Sequence, residues 1–497
     1  MEAVVKILML TSEVHPFAKT GGLADAVPAM AAALRGMGHD VRIVMPRYYG
    51  IDPQGLTQEE GPLGVPMGGG EFWCGLYSGT LPGTDVPVYF LDREDFYGRD
   101  GLYGPDGSSS WGDNALRFAL LSTASFQICR KLGWFPDIFH LHDWQAAPAA
   151  WLLESFERRR GFEHTAAVLT VHNLGYQGQF AGEEAARFPA PALAGRRPVP
   201  VEWAEGLDGG INFLAAGLAH AQRITTVSPT YAREILTPDY SEGLGTLLNA
   251  RRDRIEGILN GMDYDDWNPA SDPALGDDTF SRLRMAGKKR LKSRLQKDMN
   301  LPVQPDIPVF GMVTRLTGQK GVDLLTEPDS PALAAFREGR AQLVILGTGE
   351  GRYETALKSV AKSLPASCAV KIAFSGPVSR LIEGGADFFL MPSRYEPCGL
   401  NQMYSLRYGT LPVVRRTGGL ADSVLDMDEH PKSGDGFVFN ESSSGDLGGA
   451  VDRAVKFYRR PRKMAAARKR AMGRRFDWDL SAKGYLEVYR KALDDLN

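Results

Sequence analysis

One rhythm constrains this chain more than any other feature, and it runs twice. Short aliphatic runs alternate with longer helical stretches: VVKILMLTSE, then LADAVPAMAAALRGMG closed by Gly36 and Gly38, then VRIVMP. Repeated β–α–β order predicts a parallel sheet with helices on its faces. It recurs in DIFHLHDW followed by QAAPAAWLLESF, in AAVLTVHN, and in RITTVSP followed by TYAREIL. A polar, aromatic-dotted stretch, ILNGMDYDDWNP, interrupts it near residue 260, and the basic helix MAGKKRLKSRLQKDM follows. The rhythm then starts afresh in PVFGMVTRLT, AQLVILGTGE, AVKIAFSG, ADFFLMPS, LPVVRRT and DGFVF. A chain of 497 residues exceeds one ordinary core. The expectation is an α/β protein with two doubly wound, Rossmann-like units, residues 1–260 and 261–480. A charged helix at 462–475 and a final helix at 481–497 close it.

Ligands of such sheets bind outside the carboxyl ends of the strands, and two facing units would enclose a cleft there. Composition narrows the ligand. With 57 basic and 60 acidic residues the formal charge is −3, which gives no nucleic-acid footprint and favours a neutral or small charged ligand. Cys74, Cys129, Cys368 and Cys398 are too few and too scattered for a disulfide framework or a CxxC metal site, and fit a reducing compartment. Val4 to Leu10 is apolar, but Glu2 spoils a basic leader and no small-residue cleavage site follows, so a first strand is expected. No apolar run approaches the roughly 18 residues of a membrane span. A cytoplasmic enzyme, with no membrane or nucleic-acid partner, is the expectation.

Six strand-end motifs carry candidate chemistry. In Lys19-Thr20-Gly21-Gly22-Leu23-Ala24-Asp25, paired glycines let backbone approach a ligand before a helix N-terminus, and Lys19 adds a mobile charge. A plain glycine turn with a solvated lysine fits the same residues. His140-Leu141-His142-Asp143-Trp144 admits a metal reading, yet nothing completes a ligand set. His142 and Asp143 can instead bind sugar or water, with His140 satisfied inside the strand. His172-Asn173 closes another strand and can serve sugar hydroxyls, or the histidine can be core. Arg315 and Lys320, in RLTGQKG, stand five residues apart on a turn where they can converge on one diphosphate and neutralise it as it leaves. Gly347-Thr348-Gly349-Glu350-Gly351 is GxGxG rather than GxGxxG, and no acid ends the next strand. It therefore suits a nucleotide-contacting loop better than a dehydrogenase fingerprint. In Ser393-Arg394-Tyr395-Glu396-Pro397-Cys398-Gly399-Leu400, Glu396 can bind hydroxyls while the backbone of Cys398, Gly399 and Leu400 opens a helix. No histidine lies near Cys398 in sequence to make it a nucleophile.

Together, KTGGLAD, HDW, TVHNLGYQG, VSPTYAREI, ILNGMDYDDWNP, RLTGQKG, LGTGE, MPSRYEPCGL and YGTLPVVRRTGGLADSV resemble, in order and nearly end to end, the bacterial and plant glycogen/starch synthases. The resemblance implies a GT-B architecture in which the first unit faces the glucan, the second binds the nucleotide sugar, and the last helix crosses back. It implies ADP-glucose as donor, transfer to the non-reducing end of an α-1,4-glucan, retention at the anomeric carbon, and neither metal nor cofactor. Arg315 and Lys320 would hold the diphosphate, with Lys19, Gly21 and Gly22 near phosphates and glucose. Asp143, His172 and Glu396 would hold the sugar. Asn173, Gly347, Thr348, Cys398, Gly399 and Leu400 would line the substrates, and Asn212 lies in a matching NFL segment.

The chain departs from the pattern at two places. Ala215 stands where lysine is common, and Ser375-Gly376-Pro377 replaces a more acidic segment, dropping a histidine, with Arg380 nearby. Three rivals stand beside the main reading: a UDP-glucose-dependent GT-B transferase, a silent glucan-binding regulatory protein, and a metallohydrolase built on HLHD. Loss of Glu396 or of the cations would mark the second, and neither is lost. Retaining glycosidases pair two carboxylates with one as nucleophile. No such nucleophile emerges here, and the resemblance implies front-face substitution.

Overall fold

The computed structural model describes residues 4–68, 70–105, 109–180 and 210–496. The chain forms two compact units, Met1–Gly261 joined by Trp478–Asn497, and Met262–Asp477.

In the first unit the parallel strands are β1 (Lys6–Leu10), β2 (Asp40–Pro46), β6 (Pro87–Asp92), β7 (Ile138–His142), β8 (Ala166–Val171), β11 (Arg223–Thr226) and β12 (Ile255–Gly257). Ile7, Met9, Leu10 and all of β7 and β8 are buried, as expected of strands covered on both faces. The helix Leu23–Gly36 buries Leu23, Val27, Met30 and Leu34, one stripe at helical spacing. The helix Trp478–Asp494 belongs to this unit and buries Ala482, Tyr485, Val488, Tyr489 and Ala492. The order of these strands is β12-β11-β8-β7-β1-β2-β6. Chain order reverses at β1, which lies between β2 and β7, and that crevice is the switch point where doubly wound sheets bind ligands.

Residues 57–80 gave no β–α–β signal, and they extend this sheet differently. Here β3 (Thr57–Gln58), β4 (Leu63–Met67) and β5 (Gly70–Thr80) pair antiparallel with one another or with β6. The stretch QAAPAAWLLESF is also not one helix. A helical turn Asp143–Ala146 gives way to Pro148–Leu152 and a π turn Leu153–Glu157, because Pro148 has no N–H to continue the ladder. A small ribbon, β9 (Gln179–Phe180) with β10 (Ile211–Asn212), completes the unit.

The second unit holds a parallel sheet in the order β15-β14-β13-β16-β17-β18. Its strands are β13 (Val309–Val313), β14 (Gln342–Gly347), β15 (Cys368–Ile372), β16 (Phe388–Met391), β17 (Leu411–Arg415) and β18 (Phe437–Phe439). The switch point lies between β13 and β16. The charged helix near the end spans Pro461–Ala471, shorter than the sequence suggested. Among the described residues, no helix is long and apolar enough to cross a membrane.

Candidate functional site

At the first unit's switch point, β1 feeds a loop whose organiser is Glu13, 3% exposed. Its carboxylate accepts from the Thr20 hydroxyl at 2.6 Å, the Thr20 N–H, the Gly21 N–H at 3.3 Å and the Tyr103 hydroxyl at 2.5 Å. Lys19, Thr20, Gly21 and Gly22 stay exposed above it, and Lys19 pairs with Asp25 at 2.6 Å. Charge-assisted bonds to backbone N–H groups make such a loop rigid while its outer face remains free.

The neighbouring strand β7 delivers Asp143, 9% exposed, in a left-handed backbone with φ 57°. Asp143 Oδ1 accepts from the N–H of His172 at 2.6 Å and of Asn173 at 3.4 Å, across to the end of β8. Burial pushes this carboxyl up to about 7, against the pull of those two N–H bonds. His142 Nδ1 meets His172 Nε2 at 3.1 Å, and burial lowers both imidazoles, His172 to about 3. These histidines are neutral at pH 7. His140 is satisfied inside the strand, bonded to Thr170 Oγ1 at 2.7 Å and to the Tyr489 hydroxyl at 2.7 Å. Among the described residues, no group of three or more His, Cys, Asp or Glu could hold a metal ion.

In the second unit three loops meet at the carboxyl edge of β14, β13 and β16. Lys320 Nζ lies 2.6 Å from Glu396 Oε2, joining the loops on either side of the switch point. Ser393 Oγ donates to the same Glu396 oxygen at 2.9 Å, and Glu396 is 6% exposed. Arg394 N–H donates to Gln319 O at 2.8 Å, and Leu316 N–H to Thr348 O at 2.8 Å, stitching the three loops together. Gly321 has φ 66°, and a Cβ there would lie 2.0 Å from Pro392 O. Arg315 and Thr348 are exposed on this edge, while Gly347 is buried. A Cβ on Gly347 would sit 2.0 Å from Thr314 O. Cys398 is buried, Gly399 takes φ 69°, and the helix after Leu400 is the short Asn401–Arg407.

Thus Lys19, Gly21, Gly22, Asp143, His172 and Asn173 gather on one edge, and Arg315, Lys320, Gly347, Thr348, Glu396, Cys398, Gly399 and Leu400 on the other. Asn212 is differently employed. Its carbonyl caps the helix Phe213–His220 by accepting from Ala215 N–H at 3.0 Å, and its amide donates to Gln177 at 2.7 Å. Ala215 is buried. Arg380 does not enter the carboxyl edge. It lies 3.5 Å over the Trp267 ring and bonds Asp266 at 2.8 Å. Sequence reasoning missed Glu13 and Ser393. The signal for Glu13 was a carboxylate just past a strand otherwise wholly apolar at its end.

Two doubly wound units, each with its chemistry flanking a switch point and with paired charge on one edge, define a glycosyltransferase of the GT-B class. Residues 6–250 match the family model of the starch synthase catalytic domain, and residues 294–471 that of glycosyl transferases group 1. The chain is 42% identical over 498 residues to a glycogen synthase of Treponema denticola, covering 99% of both. It is 44% identical to glycogen synthase 1 of Geobacter sulfurreducens, covering 98% of this chain and 96% of that one. Its fold matches the catalytic domain of starch synthase IV from Arabidopsis thaliana, solved bound to ADP and acarbose. That match has a TM-score of 0.88 at 30% identity, over 99% of this chain and 100% of that one. The chain belongs to the glycogen/starch synthase family of retaining glycosyltransferases.

Proposed function

We propose that this enzyme transfers glucose from ADP-glucose to the non-reducing end of an α-1,4-glucan in the cytoplasm. The first unit's edge takes the glucan and the second unit's edge the nucleotide sugar. The observation that carries this reading is the 2.6 Å contact of Lys320 with Glu396 across the second switch point. A cation suited to phosphate beside a carboxylate suited to sugar hydroxyls on one edge supports the reading. The structure bound to ADP in the starch synthase IV domain supports an adenine donor. The four cysteines, all buried and too scattered in sequence for a disulfide framework, support a reducing compartment.

Chemically, the glycosidic bond to the diphosphate breaks and the acceptor oxygen attacks the same face of the sugar. Arg315 and Lys320 stabilise the charge gathering on the departing diphosphate, an interaction stronger in the transition state than before it. The diphosphate takes the acceptor hydroxyl proton. Glu396, Asp143 and His172 hold the sugar, and Lys19 with Gly21 and Gly22 approach the phosphates and glucose. Recovery of a glucosyl-enzyme adduct on Asp143 or Glu396 would defeat this front-face route.

The test is glucose incorporation into glycogen from ADP-glucose and, separately, UDP-glucose, with chelator present, for wild type and Lys320→Ala. Transfer from ADP-glucose that survives chelation and falls about 100-fold or more in the variant supports the reading. Transfer from UDP-glucose alone overturns the donor, chelator-sensitive activity favours the metallohydrolase class, and no transfer from either favours a silent glucan binder.

A further inference from the structure

The transfer reaction uses Asp143 and His172 but gives no task to His142, the buried residue just before Asp143 at the end of β7. These two neighbours hold the same residue of the adjoining loop. Asp143 fixes the His172 backbone by accepting its N–H at 2.6 Å, and the His142 ring meets the His172 ring, Nδ1 to Nε2, at 3.1 Å. Behind His142 the ring of His140 lies with its centroid 4.2 Å away. His140 bonds the hydroxyls of Thr170 and Tyr489. A hydroxyl can donate or accept, so His140 can carry its hydrogen on either nitrogen.

The contact between His142 and His172 has no such latitude. Burial lowers both rings and leaves each neutral at pH 7, with a single N–H. One of the two facing nitrogens must donate and the other accept. His142 Nε2 decides which, because it is buried and bonds none of the described residues. If His172 donated, the hydrogen of His142 would sit on that Nε2 as an N–H without an acceptor, the rarest kind of orphan in a folded interior. With His142 donating from Nδ1, its Nε2 is a bare nitrogen, and His172 carries its own hydrogen on Nδ1.

We propose that His142 is a positioning residue that sets the tautomer of His172, so that the half-buried His172 ring presents an Nδ1–H donor to an oxygen of the transferred sugar. Among the described residues His172 Nδ1 has no hydrogen-bond partner, which leaves that donor to a ligand. The pair His142-Asp143 thus divides one task. The carboxylate sets where the His172 backbone stands, and the imidazole sets which ring nitrogen bears the hydrogen. A ring held in one tautomer before the sugar arrives need not exchange its hydrogen on binding, which is the advantage of a preorganised site. The proposal rests on the reading that His172 holds the sugar.

Nitrogen NMR of enzyme labelled at the histidine rings, without substrate, reads the tautomers directly. The spectra of His172→Gln and His142→Phe assign the two rings by the signals they lose. In wild type both rings are expected to carry hydrogen on Nδ1 with a bare Nε2. His142→Phe keeps a ring against His140 but has no donor, so the hydrogen of His172 is expected to move in part to Nε2. KM for ADP-glucose then rises about tenfold while kcat stays within about twofold, because the lost bond serves ground state and transition state alike. His142→Asn, whose amide N–H can stand where Nδ1 stood, is expected to bring back the Nδ1–H signal and most of the affinity. Hydrogen on Nε2 of His172 in wild type overturns the proposal, and that spectrum decides even if His142→Phe fails to fold. An unchanged His172 tautomer in His142→Phe also overturns it, as does a loss of kcat at constant KM, which marks packing alone. If the tautomers behave as expected while His172→Gln transfers glucose like wild type, the tautomer assignment stands and only the sugar-holding reading of His172 falls.

Discussion

Two loops of this molecule share the sequence Thr-Gly-Gly-Leu-Ala-Asp and do different things. At Thr20–Asp25 the glycines are exposed, and a Cβ on Gly21 would meet nothing within 4 Å. At Thr417–Asp422 both glycines are buried. A Cβ on Gly418 would lie 1.9 Å from Glu396 O, and one on Gly419 2.0 Å from Cys398 O. Both loops leave a parallel strand and start a helix, so local sequence cannot separate them. The separation comes from what stands opposite. Glu13 holds the first loop from below and leaves its top open, whereas the backbone of the Glu396 loop covers the second. In the first, glycine leaves the outer face of the loop open; in the second, it lets one loop support another.

The sharpest way to break this comparison is Gly419→Ala. The added methyl faces backbone that cannot rotate away, and Gly419 N–H also donates to Glu396 O at 3.1 Å. Stability is expected to fall by more than about 4 kcal/mol, beyond the usual range of overpacking, with activity lost along with the Glu396 loop. Denaturant unfolding and kcat measure both. A near-neutral variant would show that the second loop is not a support.

The two edges also differ in how they treat a carboxylate. Glu396 is paired with Lys320. Asp143 accepts only backbone N–H groups among the described contacts, and burial pushes it up to about 7. Because the folded state holds the Asp143 proton more tightly than the unfolded chain, its ionisation lowers stability progressively from about pH 4 to pH 7, and the penalty is complete above that. Asp143→Asn removes that penalty, keeps an oxygen for the N–H groups, and suits the left-handed backbone. The variant is expected to gain between about 1 and 4 kcal/mol over wild type at pH 8 and much less at pH 4, while losing activity. The buried histidines titrate in the opposite sense but are common to both proteins, so the difference isolates Asp143. Glu396→Gln, which strands Lys320, should destabilise instead. Equal signs at the two edges would erase the contrast.

Glu13 is the device that keeps the first loop open. Glu13→Gln keeps an oxygen for the Thr20 and Gly21 N–H groups but removes the charge and turns the other end, where the Thr20 and Tyr103 hydroxyls now donate, into a donor. The expected cost is about 1–3 kcal/mol, with kcat/KM down about tenfold or more, because the loop is no longer fixed. Thermal unfolding and kinetics on glycogen read the two effects. No loss in either would mean that the loop holds its shape without Glu13.

Much of this was legible in the sequence, and the rest was not for physical reasons. Parallel strands announced themselves because burial on both faces demands unbroken apolar runs such as KILML and AAVLTV, and motifs at their ends fell on the carboxyl edges. The β3–β5 extension stayed silent. Strand β5, GEFWCGLYSGT, alternates only weakly because its outer face carries Trp73, Gly75, Tyr77 and Gly79 beside the single charge of Glu71. Asn212 was legible as a polar residue in a matching segment, but the bond its amide makes to Gln177, brought in from 35 residues away, was not. Glu13 showed only as a carboxylate past an apolar strand, and its role stayed hidden for the same cause. Its partners Thr20 and Tyr103 converge only once β1 and the segment before Asn114–Leu132 are placed. A Cβ test separates the twin glycine loops, and no reading of TGGLAD could.

The mildest substitution tests the open loop directly. Gly21 has no left-handed backbone and no neighbour that a methyl would touch, so Gly21→Ala should leave stability unchanged or raise it by about 0.4–1 kcal/mol, through a less flexible unfolded chain. Glu13 still receives its N–H bonds, since alanine keeps the backbone donor. If substrate approaches the loop as closely as paired glycines allow, the new methyl occupies that space, and kcat/KM falls about tenfold while Tm holds or rises. Loss without destabilisation would place the ligand against the Gly21 backbone. An active, equally stable variant would mean that the exposed loop is as much scaffolding as its buried twin, held open by Glu13 but not used.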